Sequence, residues 1–428
     1  MKKITLLLLA LLGISFVSAQ HSSLLDKYRS MALQYNHDLK SAERNIAASL
    51  EVERSARADL KPKLTAGANF QYTGYPAELS VNIPAAGRNL SFEGQHMQYG
   101  ASVSLMQPLY TGGRVLEIIR LARHQQEIAS FQSDLVYSAV CYQTDIQYWN
   151  TVARQEVVGV AADFYQSVNE LTKTIRERVE AGLTDPQDLL MAEVKLNEAE
   201  YRLLQAKNDF ETGRMALNSI IGTELQELTK VETVVPLLVS ADTLLSQTGM
   251  DRPEVRIAEQ QVLVAESTLK LNDAQYKPQF YVGVDGSYSS PGYNFHRDMD
   301  FNYAAYAKIA VPVFEWGKRR SDKRASAEQI GIATDRLNQV NDEVRLEVET
   351  AKVNLIQAQE RVVLSENSLE KARENEVKAL ERYGEGKTSV VEVIDAQTYR
   401  QTSQLNYVQA KVAAQSYYSA LLKALHAY

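Results

Sequence analysis

Gln107-Pro108-Leu109-Tyr110-Thr111-Gly112-Gly113-Arg114 is the stretch that decides the fold. Before it the chain alternates apolar and polar residues; after it no proline occurs until Pro186. Gly113 and Gly182 stand 69 positions apart, as do Gly317 and Gly386, and neither interval contains a proline. Each interval predicts one unbroken helix, on the order of 100 Å long at a rise of about 1.5 Å per residue. Ordinary globular helices run only about three or four turns.

The same landmarks occur twice. Val311-Pro312-Val313-Phe314 answers Gln107-Pro108-Leu109-Tyr110 at an offset of 204, which also relates Gly113 to Gly317 and Gly182 to Gly386. Upstream the offset is 216: Lys277-Pro278-Gln279-Phe280 answers Lys61-Pro62-Lys63-Leu64, and Arg252-Pro253-Glu254-Val255 answers Asn36-His37-Asp38-Leu39. Landmarks repeated in one order mark a structural unit used twice, with a longer loop in the first copy between Pro62 and Pro108. The first copy covers 20–222: helices over 24–60 broken near Asn36, strands over 62–74 and 97–110, a long helix over 114–181, a return helix over 186–221. The second covers 250–426: a helix over 253–276, strands over 278–288 and 301–313, a long helix over 318–383, a return helix over 390–424. Between them 223–249 reads as an irregular linker with a β-prone piece over 231–239.

Pro62 and Pro278 end the first helix of each copy, because a proline disfavours helical geometry in the residue before it. Beyond each of these prolines the chain alternates with period two. Leu64, Ala66, Ala68, Phe70 and Tyr72 share a face against Thr65, Gly67, Asn69 and Gln71, and Tyr303, Ala305, Ala307 and Ile309 oppose Asn302 and Lys308. Such strands, apolar on one face and rich in Tyr and small residues, suit a membrane β-barrel. A half-buried sheet on a soluble core fits the alternation equally. The flanks decide for the barrel: Lys61, Lys63 and Lys277 sit where cations snorkel to headgroups, and Tyr75, Tyr99, Tyr110, Tyr281 and Trp316 lie near strand ends. Four strands cannot close a barrel, and an open edge is forbidden in hydrocarbon, so copies must share one. Two copies give eight strands, an interior nearly filled by side chains; three give twelve and a lumen.

The long helices carry heptads. One column steps by seven from Ile330 through Leu337, Val344, Ala351 and Ala358; another runs Val348, Leu355, Val362, Leu369, Glu376 and Tyr383. Sustained sevens indicate coiled-coil packing. Short turns around 181–186 and 384–389 reverse the chain, with Pro186 suited to a first helical position.

Composition narrows the class. The 428 residues are 45% hydrophobic, so nothing argues for disorder, and no mature run reaches the roughly 18 apolar residues of a transmembrane helix. Lys2-Lys3, the apolar run from Leu6 to Leu12 and Val17-Ser18-Ala19 read as a signal peptide over 1–19. Losing its two lysines moves the net charge from −7 to −9, so an acidic exported chain is expected to bind no nucleic acid. Cys141 is the single cysteine and reads as a small buried hydrophobe. The six histidines are scattered without metal spacing, and no phosphate loop, nucleophile elbow or zincin pair occurs, so neither enzyme chemistry nor a cofactor is expected.

Two groups of residues stand out. Lys318-Arg319-Arg320 opens the second long helix, where cations oppose the macrodipole; at an inner-leaflet boundary anionic headgroups would compensate, and a solvated face is the alternative. Beyond the second turn, Glu392 and Asp395 are three apart and share a helix face, with Asp188 at the place of Glu392 in the first copy. Solvated surface charge is the plain reading of these acids, while a symmetric oligomer would make them a cation-favouring ring.

The ensemble resembles the TolC family of outer-membrane efflux proteins across the mature chain. The resemblance rests on Arg252-Pro253-Glu254, on Gln107 through Arg114, and on Tyr383 through Gly386 to Val391-Glu392-Val393-Ile394-Asp395-Ala396. It implies a mainly helical, internally duplicated fold whose long antiparallel coiled-coil hairpins form a periplasmic α-barrel. Four strands per chain would join a shared trimeric β-barrel of twelve strands, and a periplasmic adaptor and an inner-membrane pump (RND, ABC or similar) would dock at the closed tip. It further implies that Glu392 and Asp395 form a cation-attracting constriction and that Tyr383 is linked to Asp188 in closing the tip. The family's turn arginine is replaced here by Thr388, with Lys387 beside it as a candidate substitute. The expected function is a passive, tip-gated exit duct for efflux or type I secretion; the alternative is a coiled-coil spacer of the periplasm without a channel.

Overall fold

A computed structural model describes residues 23–83, 88–238, 242–247, 251–292 and 298–428. The expected leader over 1–19, together with His21 and His296, lies outside these residues. The first copy contains α1 (Ser23–Tyr35), α2 (His37–Ala58), β1 (Lys63–Tyr72), β2 (Glu78–Ile83), β3 (Arg88–Glu93), β4 (Met97–Tyr110), α3 (Arg114–Glu180) and α4 (Pro186–Ile221). A short α5 (Asp242–Leu245) precedes α6 (Pro253–Ala274), β5 (Gln279–Ser290), β6 (Asp300–Ala310), α7 (Lys318–Gly384) and α8 (Val390–Leu425). The break near Asn36 has a local cause: Asn36 Oδ1 accepts the backbone N–H of Leu39 at 2.8 Å and so caps α2.

The chain divides into two compact units, one of which comprises residues 43–131 and 256–339. Its centre is an antiparallel sheet in the order β1-β4-β5-β6. The register sets Leu64 opposite Leu105, Ala66 opposite Val103 and Phe70 opposite Tyr99, then Leu105 opposite Val284 and Val284 opposite Ala305. Most of the apolar residues of the four strands therefore fall on one continuous face. Leu64 is 68% exposed, Phe70 70% and Tyr303 71%. The opposite face is polar; Ser104 Oγ donates to Asp285 Oδ1 at 2.5 Å. On the helical side of this unit, Tyr276 donates to Asp322 at 2.5 Å and Asn272 to Ser326 at 3.1 Å, tying α6 to α7.

Two features of this unit depart from the sequence expectation. The strand expected over 301–313 ends at Ala310, because Pro312 has no N–H for the ladder. The long loop of the first copy is a hairpin, β2 paired with β3 from Glu78↔Glu93 to Ile83↔Arg88; the alternation of Leu79, Val81 and Ile83 was its signal.

The second unit comprises residues up to 42, 132–255 and 340–428. Leu25, Tyr28, Tyr148, Trp149, Val152 and Leu217 share a core with Val235 from the segment between the copies. That segment forms no strand over 231–238, contrary to the β-prone reading, and Val239 lies outside the described residues. Side chains from the helices occupy its backbone groups instead. Glu156 Oε2 accepts the N–H of Val235 at 2.8 Å, Gln415 donates to Pro236 O at 2.9 Å, and Tyr28 donates to Lys230 O at 2.5 Å. Asn218 holds Leu225 O and Glu227 O at 3.0 and 2.9 Å. These bonds hold the segment against the helices, and Pro236 has no N–H to offer a ladder.

Candidate functional site

The α3–α4 and α7–α8 turns are built alike. Leu183 N bonds Arg178 O at 2.8 Å and Gly182 N bonds Val179 O at 2.9 Å; Lys387 N bonds Arg382 O at 2.8 Å and Gly386 N bonds Tyr383 O at 3.0 Å. This is the six-to-one and five-to-two pattern that closes a helix on a left-handed residue. Gly182 and Gly386 take φ of 71° and 72°, a region that costs other residues about 1–2 kcal/mol. Each return helix then has a side-chain cap. Asp185 accepts from Gln187 N at 2.8 Å, and Ser389 accepts from Glu392 N at 3.4 Å.

Behind the turns Leu171, Ile175, Ala192, Tyr383, Val390 and Val393 form one apolar cluster. Its alanine and valines come from the starts of α4 and α8, so burial fixes which residues of those helices remain outside. Asp395 is exposed and has no hydrogen bond or ion pair among the described residues. Glu392 is also exposed, but its carboxylate accepts from Thr388 Oγ1 one turn earlier. Asp188 accepts from Thr184 Oγ1 at 2.9 Å, and Lys387 Nζ lies 2.7 Å from Glu385. Of the acids and cations read from the sequence, Asp395 alone is uncommitted at this end.

Tyr383 is 6% exposed, and its hydroxyl has no hydrogen-bond partner. The structure thus does not join it to Asp188. Burial pushes its phenol above the usual tyrosine range, against the opposing pull of Arg178. Arg178 is the residue that sequence reasoning missed. From the last turn of α3 it donates to Tyr383 O at 3.1 Å and Gly384 O at 3.0 Å, and its guanidinium carbon lies 4.6 Å from the Tyr383 ring centroid. A cation in the last turn of a helix is common and gives no signal by itself, and these contacts join residues 205 and 206 positions apart.

The motif arginine Arg252 ties three helices together. It is 3% exposed and reaches Glu347 at 2.5 Å, Glu254, and the carbonyl of Ala424 at 3.3 Å, holding the start of α6 to α7 and α8.

The basic run at the start of α7 separates by partner. Arg319 meets Asp273 at 2.8 Å, and Lys277 meets the same carboxylate at 3.3 Å. Partial burial would raise Asp273, but the hydrogen bonds and charges of Arg319 and Lys277 outweigh it and hold the carboxyl below its ordinary range. Lys318 and Arg320 are exposed and have no side-chain partner among the described residues. Beside them Phe314 and Trp316, 71% and 90% exposed, meet edge to face at 4.9 Å.

Among the described residues no helix is long and apolar enough to cross a membrane, and no three His, Cys, Asp or Glu side chains could hold a metal ion together. The model of the family described as "Outer membrane efflux protein" matches residues 28–223 and 244–426. The chain belongs to the outer membrane efflux protein family. The outer membrane is therefore its location, and transport out of the cell the general work of its kind. This efflux protein is 23% identical over 412 residues to the probable efflux pump outer membrane protein SepC of Pseudomonas putida, covering 92% of this chain and 81% of that one. It is 22% identical over 387 residues to the outer membrane efflux protein BepC of Brucella suis, covering 89% and 80%. The fold of the efflux protein matches that of the outer membrane protein VceC of Vibrio cholerae with a TM-score of 0.77 at 17% identity, over 94% of this chain and 95% of that one.

Proposed function

We propose that the protein is the passive exit duct of a tripartite efflux or type I secretion system, with three copies closing one barrel of twelve strands in the outer membrane. The sheet carries this reading. One face is apolar and exposed, the other is polar, and among the described residues β1 and β6 are each paired on one side only. In hydrocarbon such edges leave backbone groups unsatisfied, so β6 of one copy pairs with β1 of the next. Three copies leave a lumen where two leave almost none.

The long hairpins extend into the periplasm, and their turns close the far end. There Asp395 faces its symmetry mates as a ring that favours cations, while Asp188, Glu392 and Lys387 hold the two turns in shape. Tyr383 closes the cluster behind them. A periplasmic adaptor that binds the open arrangement more tightly shifts the equilibrium and hands cargo on from an inner-membrane pump. Lys318 and Arg320, below the lipid-facing strands, take anionic headgroups, while Arg319 serves Asp273.

Planar bilayers test the reading. Purified protein should give discrete conductance steps, and cysteines on β1 and β6 should cross-link copies up to a trimer. Cross-linking without conductance would leave a spacer that tethers the outer membrane and conducts nothing.

A further inference from the structure

We propose that Arg178 is the positioning residue of the closed tip: it clamps the α7–α8 turn to the α3–α4 turn by gripping the backbone end of α7. The inference rests on the gate reading and names the bond that such a gate must break.

The last four carbonyls of a helix have no partner within it. Two of those at the end of α7, on Tyr383 and Gly384, receive the two Nη groups of Arg178 at 3.1 and 3.0 Å. A guanidinium is suited to this: its donors form a rigid fork, and it stays charged at every physiological pH. The helix C-terminus carries partial negative charge, which the cation meets directly. The same guanidinium lies 4.6 Å from the centroid of the Tyr383 ring, within cation–π range. One side chain therefore binds both the backbone and the aromatic face of the residue where α7 ends.

The other polar contacts near the turns stay within one hairpin. Thr184 bonds Asp188, Thr388 bonds Glu392, Lys387 meets Glu385, and Arg176 meets Glu193 at 2.9 Å. Behind the turns the hairpins share the apolar cluster of Leu171, Ile175, Ala192, Tyr383, Val390 and Val393, and hydrogen bonds between them resume only beyond it, where Ser167 meets Glu376 and Gln397. Among the described residues between that layer and the turns, Arg178 alone hydrogen-bonds from one hairpin to the other. The Tyr383 hydroxyl itself has no hydrogen-bond partner, so the residue is held through its carbonyl and its ring. Separating the turns thus requires the Arg178 fork to let go.

The test uses the full-length protein reconstituted in lipid, with two readouts. Spin labels on Leu183→Cys and Glu385→Cys report the distance between the turns, and bilayer recordings report the open-to-closed ratio. Arg178→Ala should broaden the distance distribution and raise the open fraction about tenfold, since both lost hydrogen bonds are charge-assisted. Arg178→Lys, which keeps the charge without the fork, should lie between Ala and wild type. Arg176→Ala removes a similar cation from within one hairpin and should change neither readout. Should Arg178→Ala prove unfolded, the Arg178→Lys variant carries the test. Unchanged distances in the folded variants overturn the clamp, as does opening by Asp188→Ala with none by Arg178→Ala. Broadened distances without added conductance uphold the clamp and refute the gate.

Discussion

Arg400 Nε lies 2.5 Å from Glu376 Oε2, and the two side chains are 15% and 10% exposed, so an ion pair is buried between α7 and α8. Glu376 stands in the heptad column that otherwise reads Val348, Leu355, Val362, Leu369 and Tyr383. Ser167 of α3 donates to the same carboxylate at 3.3 Å, and Gln397 donates to Ser167 Oγ at 2.9 Å. A buried pair of this kind seldom adds stability over apolar residues of equal volume, while removing one partner strands the other. Arg400→Leu should therefore destabilise by about 3–5 kcal/mol, and the double variant Glu376→Leu/Arg400→Leu should be neutral or up to about 4 kcal/mol more stable. Melting of the detergent-solubilised protein checks both values.

The same carboxyl has a defined pH dependence. Burial pushes Glu376 above the ordinary glutamate range, and the charge of Arg400 with the Ser167 hydrogen bond only partly offsets it. A folded-state value above the unfolded one stabilises fully below the unfolded pKa and stops doing so as pH rises through the folded one. The deficit of Arg400→Leu should thus shrink as pH falls from neutral into the range where Glu376 protonates. A deficit that stays constant or grows on acidification would contradict this assignment.

Cys141 offers a second check on the core. It is 2% exposed, and desolvation pushes its thiol up to about 11, with Arg29 pulling the other way. The reactive species is the thiolate, and a rise from an ordinary value of 9.0 to about 11 cuts its amount at neutral pH roughly a hundredfold. Maleimide should leave the native protein unlabelled at pH 7.5 and label it fully after denaturation. Rapid native labelling would mean that α3 opens locally around Tyr137 and Asp145.

Legibility in the sequence followed the range of the forces involved. The long helices were readable because a proline-free interval and a seven-residue period are local patterns, and the faces of the strands were readable because alternation is. The segment after Ile221 looked irregular and is ordered by Glu156, Asn218 and Gln415, whose reach no local pattern encodes. At the turns, Asp188, Glu392 and Asp395 were visible as acids on return helices. Which of them is uncommitted depends on threonines one turn away, and the Arg178 contact depends on how two hairpins pack.

The basic run at the start of α7 should split into two behaviours. Lys318→Gln with Arg320→Gln removes uncommitted cations, so binding to anionic vesicles should weaken while the melting temperature holds. Arg319→Gln instead removes a partner of Asp273, whose carboxyl lies below its ordinary range. A depressed carboxyl stabilises above its unfolded pKa and loses that contribution as pH falls through the folded one. Arg319→Gln should accordingly lower stability at neutral pH and flatten the acid side of the melting curve. Equal loss of vesicle binding in both variants would show that Arg319 leaves Asp273 for lipid.

Asp395 and Glu392 share a helix face but should answer mutation differently. Glu392 accepts from Thr388 Oγ1, and its own N–H is held by Ser389, so Glu392→Ala removes part of the start of α8 along with a charge. Asp395 has no such bonds, and Asp395→Ala removes charge alone. In the proposed trimer that change would take three carboxylates from around one axis, each of which would act on the same ion. Half-block by a trivalent cation such as hexamminecobalt, added from the periplasmic side, should then need on the order of tenfold more cation. Glu392→Ala should weaken block less and lower the melting temperature as well, because its carboxylate is shared with Thr388. Block that survives Asp395→Ala unchanged would place this residue away from the conducting path and leave the constriction to other side chains.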